Sequence, residues 1–325
     1  MLISLIKNYI KKNLPNTYNY IVKIRDGNPF LKKIKGSINL SLNKKIHGTR
    51  IVDNEKGIFI NLTKSNYLSF NLRPKLAKDY KTKVNDISNR DVAVIIQGSL
   101  YGLEFFVEQT LQIYNKNFPD SKLILSVWED ELSKSLKKKI DLINDVKLII
   151  NQKPKNFIHN IDLQTKSTNA AIQYAEQKGY KFCLKTRTDC RLNKVNSLSF
   201  LKNLIKLFPV KENSIATSRI ISCAIDTRKF RVYGLSDILM FGKTEDLNRY
   251  FIDENFEVSL KKYNFGDYPC VIKETAVINE IFLCARYLRN LKEDLNWTLD
   301  DWCKSLRNFF CIVDPVSIDF FWYKY

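Results

Sequence analysis

The amino-acid sequence predicts an α/β protein, with a mostly parallel sheet flanked by helices and a small, basic, β-rich segment before it. Three observations carry this prediction. Apolar strand candidates at residues 92–96, 123–128 and 146–150 recur at short intervals, and helical apolar patterns separate them. The first half of residues 181–191 is a fourth such strand. Basic residues concentrate before residue 90, outside this alternation.

The composition indicates a folded chain with its charge at one end. The 325 residues are 45% hydrophobic and 12% aromatic, which is enough apolar material for one large core or two unequal ones. The net charge is +19; residues 1–90 hold 19 basic and 5 acidic side chains, and residues 91–325 hold 34 and 29. We therefore expect two segments, 1–90 and 91–325, with most of the basic excess in the first.

The cysteines and histidines exclude several kinds of site. None of the seven cysteines forms a C-x-x-C pair, and two histidines cannot build a His-rich metal site. Free cysteines favour a reducing, cytosolic compartment. The sequence contains no apolar run of about 18 residues, so no membrane-spanning helix is predicted. No signal peptide is expected either.

The first residues predict a short basic amphipathic helix. Apolar residues recur with helical spacing from Leu2 to Ile10, lysines lie between them, and Pro15 ends the pattern. Two interpretations stay open. The helix is a foot on anionic lipid, where each cation adds roughly 1 kcal/mol, or it docks on its own domain. Residues 36–72 then look β-rich, with a strand candidate after a turn at residues 53–56.

Helices are expected between the strands that follow residue 91. Their apolar stripes lie at residues 103–114, 132–143 and 164–178, and Gly179 closes the last helix. Beyond residue 191 the pattern is more mixed. It predicts helices at residues 200–207, 274–291 and 302–310, and strands at residues 214–218 and 237–242.

Ligands of an open α/β sheet bind beyond the carboxyl ends of its strands, where the strand order reverses. This rule selects four loops, at residues 97–102, 129–130, 151–168 and 187–191. The first is a polar, glycine-containing turn that opens a helix, so its backbone N–H groups suit an anion or a nucleobase. An ordinary turn between strand and helix is the alternative.

The stretch at residues 181–191 ends in charged side chains. In extended chain, Lys185, Arg187, Asp189 and Arg191 share one face. Three cations suit the diphosphate that leaves a nucleotide donor, and the carboxylate of Asp189 suits Mg²⁺ or Mn²⁺. The alternative is that Asp189 only pairs with a neighbouring arginine.

Short polar motifs follow the predicted strands in a definite order. They are Gln97-Gly-Ser, Ile124-Leu-Ser-Val-Trp-Glu129, Asn160 with Gln164 and Ser167-Thr168, and Lys185-Thr-Arg-Thr-Asp189. In this order they resemble the WavE-type lipopolysaccharide synthesis proteins, which look like GT-A glycosyltransferases of bacterial surface polysaccharide assembly. The resemblance covers residues 91–290 and leaves the basic N-terminal segment outside.

The resemblance implies a GT-A-like fold with a donor site. Lys185, Arg187 and Asp189 stand in place of the Asp-x-Asp motif of GT-A enzymes, of which only the last carboxylate is present. Arg187 is therefore the alternative to a metal for neutralising the diphosphate. The other residues that the resemblance places near the nucleotide donor are Gln97, Gly98, Ser99, Asn160, Gln164 and Thr168.

An inverting transfer needs a carboxylate that takes the proton of the acceptor hydroxyl. Asp237 resembles the acid of a Ser-Asp segment in the family, and Glu274 resembles an acidic residue that opens a later helix. Either is a candidate base. The alternative for both is helix capping, because the dipole favours a negative charge in a first turn.

These residues and the resemblance predict a glycosyltransferase that moves a sugar from a nucleotide-sugar to a lipid-linked glycan. We expect it on the inner face of the cytoplasmic membrane, with an anionic lipid surface as a partner and no nucleic acid. A nucleotidyl or sugar-phosphate transferase, a nucleic-acid-binding protein and a non-catalytic membrane-associated scaffold stay open. Nucleic acid is disfavoured because the excess charge lies outside the α/β region.

Overall fold

The computed structural model describes residues 76–79, 88–154, 160–253 and 278–323, together with three strands between residues 51 and 70. The chain divides into two compact units, Met1–Arg73 and Pro74–Tyr325. This division falls before the boundary that we expect near residue 90. The predicted helix at residues 2–10 and the candidate base Glu274 lie outside the described residues.

The described part of the first unit is an antiparallel sheet. Its strands are β1 (Ile51–Asn54), β2 (Gly57–Asn61) and β3 (Tyr67–Phe70), with β2 in the middle. Asn54 pairs with Gly57 at the close of the first hairpin. The strand predicted after the turn at residues 53–56 is therefore present.

The second unit is built on one large sheet. Its strands are β4 (Val92–Gln97), β5 (Lys122–Trp128), β6 (Val146–Asn151), β7 (Phe182–Arg187), β8 (Cys190–Leu192), β9 (Ile220–Cys223), β10 (Met240–Lys243), β11 (Phe310–Val313) and β12 (Phe320–Trp322). Seven of them form the sheet in the order β11-β9-β10-β7-β4-β5-β6, and β8 pairs separately with β12. Among the described strands of this sheet, only β10 runs against the other six. The predicted mostly parallel α/β sheet is confirmed.

Helices cover both faces of this sheet. They are α1 (Glu104–Asn117), α2 (Lys134–Asp141), α3 (Ile161–Gln177), α4 (Ser197–Leu207), α5 (Thr244–Tyr250), α6 (Asn279–Asn290) and α7 (Leu299–Phe309). Val92, Val94 and Ile96 of β4 pack in a core with α1, α2 and α4, whereas Ala93 and Ile95 pack in a second core with the other helices. Because β4 is buried on both faces, it is apolar at almost every position.

Two predicted strands are wrong in position. The sequence predicts a strand at residues 214–218, but the backbone N–H groups of Thr217 and Ser218 donate to the carboxylate of Asp246 at 3.0 and 2.7 Å. They are therefore not part of a strand, and β9 begins later. The strand predicted at residues 237–242 loses its first half, because the carbonyl of Asp237 accepts from the side chain of Lys185.

Candidate active site

A cleft of about 670 Å³ opens beyond the carboxyl ends of β4, β5 and β7. From β4 the chain proceeds to β5 and β6 on one side and returns to β7 on the other, so the cleft lies where the strand order reverses. Residues from or next to all four predicted loops line it. The predicted site residues on its wall are Gln97, Gly98, Ser99, Asn160, Gln164, Arg187 and Asp189.

The loop after β4 is tied to the turn after β7. The hydroxyl of Thr188 donates to the carbonyl of Ser99 at 2.7 Å, and the backbone N–H of Thr188 donates to the carbonyl of Gln97 at 3.0 Å. Gly98 has a φ of 131°, and a Cβ there would lie 2.9 Å from the Thr188 hydroxyl. Glycine is therefore needed for this backbone and for the close approach of the two loops.

A buried polar network fixes the depth of the cleft wall. The hydroxyl of Ser167 on α3 donates to Oε1 of Gln97 at 3.0 Å, and the carbonyl of Ser167 accepts from the hydroxyl of Ser126 at 2.7 Å. Nδ2 of Asn151 donates to Oγ of Ser126 at 2.8 Å. This network joins β4, β5, β6 and α3, and a network with its groups paired holds them in one arrangement.

Arg187 is the cation on the floor of the cleft. Its Nε and Nη2 atoms donate to the two oxygens of Asp189, both at 3.0 Å, in a forked pair. The side chain of Arg187 is 31% exposed, whereas that of Asp189 is 2% exposed. The buried carboxylate thus holds the guanidinium and leaves part of its surface open to the cleft.

The C-terminal strand β12 supports this pair, which sequence patterns did not indicate. The indole Nε1 of Trp322 donates to Oδ2 of Asp189 at 3.0 Å, and its ring lies 5.7 Å from the guanidinium of Arg187. The backbone N–H of Tyr323 donates to the carbonyl of Asp189 at 2.8 Å, and Tyr323 lines the cleft. Residues 320–322 are consecutive aromatic residues, but no local pattern indicates a partner more than a hundred residues away.

Three predicted donor residues do not line the cleft. The alternation of faces ends with β7, because the chain turns at Thr188 before β8 begins. Arg191 consequently points at α1, where it donates to the carbonyl of Phe106 at 3.1 Å and stacks 4.2 Å from that ring. Thr168 and Lys185 are fully buried. The prediction that four charged residues share one face is wrong for Arg191.

Lys185 and Asp237 lie together behind the cleft wall. The ammonium of Lys185 donates to the backbone carbonyl of Asp237 and lies 5.2 Å from the ring centre of Phe251. Burial lowers the pKa of Lys185 to about 8, against the attraction of Asp237. Oδ2 of Asp237 accepts from Nε2 of Gln164 at 2.7 Å. The candidate base Asp237 is therefore not among the residues that line the cleft, but it is bonded to Gln164, which is.

A second carboxylate, Glu280, lies in the first turn of α6, next to Asn279 on the cleft wall. Burial raises the pKa of Glu280, and the negative charge of Asp237 raises it further. The sequence predicts a helix over residues 274–291, which places Glu280 within it, and no local pattern indicates that this carboxylate lies near Asp237.

Glu131 and Lys153 close the far side of the cleft. Oε1 of Glu131 accepts from the ammonium of Lys153 at 2.6 Å, and Oε2 accepts from the backbone N–H of Leu100 at 2.7 Å. The same ammonium lies 5.5 Å from the ring centre of Tyr101. One carboxylate thus positions both a cation and the loop after β4.

Comparisons with known proteins give a family and distant structural likenesses. A family model described as WavE lipopolysaccharide synthesis matches residues 92–308. No curated protein matches the chain in sequence. A glycosyltransferase involved in the glycosylation of the major capsid of PBCV-1 is similar in structure with a TM-score of 0.33 and 8% identity, over 69% of this chain and 80% of that chain.

Proposed function

Because the chain belongs to the WavE lipopolysaccharide synthesis family, we propose that it is a glycosyltransferase that moves a sugar from a nucleotide-sugar to a growing bacterial surface polysaccharide. The polymer is lipopolysaccharide, O-antigen or capsule. The observation that carries the proposal is the position of Arg187, a guanidinium held by a buried carboxylate on the floor of the cleft where the strand order reverses.

The donor diphosphate fits against Arg187. Two of its N–H groups are used by Asp189, and a guanidinium has five, so others remain to donate to phosphate oxygens. The exposed ring of Tyr101, which is 72% accessible, offers a flat surface for the base or the sugar. The ammonium of Lys153, which lies 5.5 Å from the ring centre of Tyr101, adds a second cation near the leaving group.

The residues around Asp189 fit an arginine better than a divalent metal. Oδ1 of Asp189 accepts from Arg187, and Oδ2 accepts from Arg187 and Trp322. Within the described parts of the chain, no three acidic, histidine or cysteine side chains form a group that would hold a metal ion. We therefore assign the neutralisation of the leaving diphosphate to Arg187, and no step to a metal.

The acceptor hydroxyl gives its proton to one of two carboxylates, that of Asp237 or that of Glu280. Asp237 is held through Gln164, and Glu280 beside it is the second candidate. A carboxylate with a raised pKa suits proton transfer near neutral pH, which favours Glu280 as the group that takes the proton. Glu274 remains a sequence-based candidate for the same role.

The acceptor is proposed to be a lipid-linked glycan, reached from the inner face of the cytoplasmic membrane. Among the described residues, no helix has the length and apolar character needed to cross a bilayer. The basic helix predicted at residues 2–10 is the proposed contact with anionic lipid.

A screen of nucleotide-sugars tests the proposed function. The full-length protein is incubated with UDP-, GDP-, CMP- and dTDP-sugars, and mass spectrometry measures release of the nucleotide, with added Mn²⁺ and with EDTA. We expect one donor class to be hydrolysed slowly, at equal rates in both conditions. Binding of an oligonucleotide at physiological salt without turnover of any nucleotide-sugar would overturn the proposal.

A further inference from the structure

The loop between β9 and β10 leaves the sheet at the same edge as the cleft. β9 runs parallel to β7, and β10 returns antiparallel to both, so the connection at residues 224–239 begins and ends at the carboxyl edge. Residues 224–234 form its outer part, which we call the Phe230 loop. Its position follows from strand direction alone.

The tip of the Phe230 loop carries an aromatic ring among cations. Phe230 is 77% exposed, and the ammonium of the exposed Lys229 lies 5.3 Å from its ring centre. The side chain of Arg228 is 70% exposed and pairs with Asp226 at 3.2 Å. With Arg231, the loop holds three basic residues and one acidic residue, so it is net positive.

The base of the Phe230 loop is closed by hydrogen bonds. The hydroxyl of Thr227 donates to the carbonyl of Cys223 at 2.9 Å and accepts from the backbone N–H of Ser236 at 3.0 Å. Tyr233 is fully buried, and the N–H of Gly234 donates to the carbonyl of Arg231 at 2.8 Å. These contacts fix the base of the loop, and Phe230 lies outside them at the exposed tip.

Other exposed aromatic side chains gather at the same edge. Tyr101, Phe105 and Tyr323 are 72%, 49% and 55% exposed and follow strands that end there. Phe208 is 46% exposed but lies at the opposite edge. The carbonyl of the next residue, Pro209, accepts a hydrogen bond at 3.3 Å from Arg219, which directly precedes β9 at the edge where that strand begins. Among the residues that the structure describes, the carboxyl edge therefore has more exposed aromatic side chains than the opposite edge.

We propose that the Phe230 loop rests on an anionic lipid surface, with the ring of Phe230 in the interfacial region and Arg228 and Lys229 among the headgroups. An apolar tip flanked by cations matches the layered chemistry of that interface. The contact brings the mouth of the cleft to the membrane. The inference rests on the proposed function in one respect, the lipid-linked acceptor that would make a membrane contact useful. The contact itself is measured without donor or acceptor, so its failure and the failure of the proposed function are distinguishable.

The test places a fluorescent reporter on each edge of the full-length protein. Phe230→Trp and Phe208→Trp are compared in vesicles of phosphatidylcholine and phosphatidylglycerol whose acyl chains are brominated. Bromine quenches only an indole that enters the bilayer, so binding through the N-terminal segment does not by itself quench either reporter. We expect extra quenching, relative to the unsubstituted protein, for Phe230→Trp only.

The cations are tested by partitioning into the same vesicles. Each cation near an anionic leaflet contributes roughly a fivefold change in partitioning, so the double change Arg228→Gln and Lys229→Gln should weaken binding by about 25-fold. The exposed Arg90 and Lys206, changed together to Gln, are the control at other surfaces. Equal quenching of both reporters, equal partitioning of both double variants, or a response of Phe230→Trp to an oligonucleotide and not to vesicles would overturn the inference.

Discussion

Lys185 is a cation enclosed in the sheet. It is fully buried on β7, with its ammonium bonded to the carbonyl of Asp237 and near the ring of Phe251. Burying a charge is unfavourable unless it is paired and hydrogen-bonded. Lys185 bonds to Asp237, and Asp237 bonds to Gln164 on the cleft wall, so the buried lysine helps to position that wall.

The enclosed lysine predicts a pH dependence of stability. Burial lowers the pKa of Lys185 from 10.5 to about 8, so the folded chain releases this proton at a lower pH than the unfolded chain. Its contribution to stability is therefore least below pH 8 and rises towards pH 10.5. Relative to Lys185→Met, the free energy of unfolding of the unsubstituted protein should increase by about 1 kcal/mol between pH 7 and pH 9.

Denaturant unfolding at the two pH values measures this difference, and the exposed Lys206, changed to Met, is the control. Comparison of variants removes the effect of other groups that titrate in the same range. A difference between the Lys185 variant and the unsubstituted protein that stays flat with pH would contradict the enclosed, partly neutral lysine.

Single residues show what the sequence reveals and what it hides. Arg187 and Asp189 are recognisable because they belong to a cluster of charge that follows an apolar strand, and both line the cleft. Arg191 is misassigned because a turn at Thr188 interrupts the extended chain, and period-two reasoning holds only within one strand. Local patterns therefore find charged residues more reliably than they find the direction of each side chain.

At the scale of elements, β12 is the support that no local pattern indicates. It pairs with β8 and delivers the indole of Trp322 to Asp189. A three-residue strand with a distant partner has no periodicity to detect, whereas the long buried strands β4 and β5 do. The main sheet was thus predictable, and the small β8–β12 pair was not.

The contact between β12 and Asp189 predicts that Trp322 positions Arg187. Trp322→Phe keeps an aromatic ring over the guanidinium and removes the N–H that donates to Asp189 at 3.0 Å. We expect KM for the donor to rise about 3- to 10-fold with a smaller change in kcat, since a bond to a charged group is lost beside the diphosphate. Steady-state kinetics with the donor identified by the screen measure both constants.

Trp302→Phe is the matched control for this change. Trp302 is fully buried on α7, and its Nε1 has no hydrogen-bond partner among the described residues, so the change alters packing without touching the cleft. Its effect should be on stability and not on KM. Equal KM values for Trp322→Phe and the unsubstituted enzyme would remove the positioning role of Trp322.

At the scale of the whole molecule, strand order creates the site. Because the chain returns to β7 beside β4, the ends of these two strands meet with Gln97 paired to Arg187, and the loops that follow form one cleft. Sequence patterns predicted the alternation and the loops, since each depends on neighbouring residues. They did not give the antiparallel β10 or the second carboxylate at Glu280, which depend on pairings across the fold.

The central claim is that Arg187 neutralises the donor diphosphate in this cleft. The most direct measurement is kcat/KM for the identified nucleotide-sugar with Arg187→Lys and Arg187→Ala, against Arg90→Ala at the opposite edge of the sheet, where the side chain is 82% exposed. Arg187→Lys keeps a cation beside the buried Asp189 and so protects the fold, but it cannot form the forked pair. We expect kcat/KM to fall for both Arg187 variants, by roughly 100- to 1000-fold for Arg187→Ala, and to be unchanged for Arg90→Ala. Folded Arg187 variants with the activity of the unsubstituted enzyme would contradict the claim.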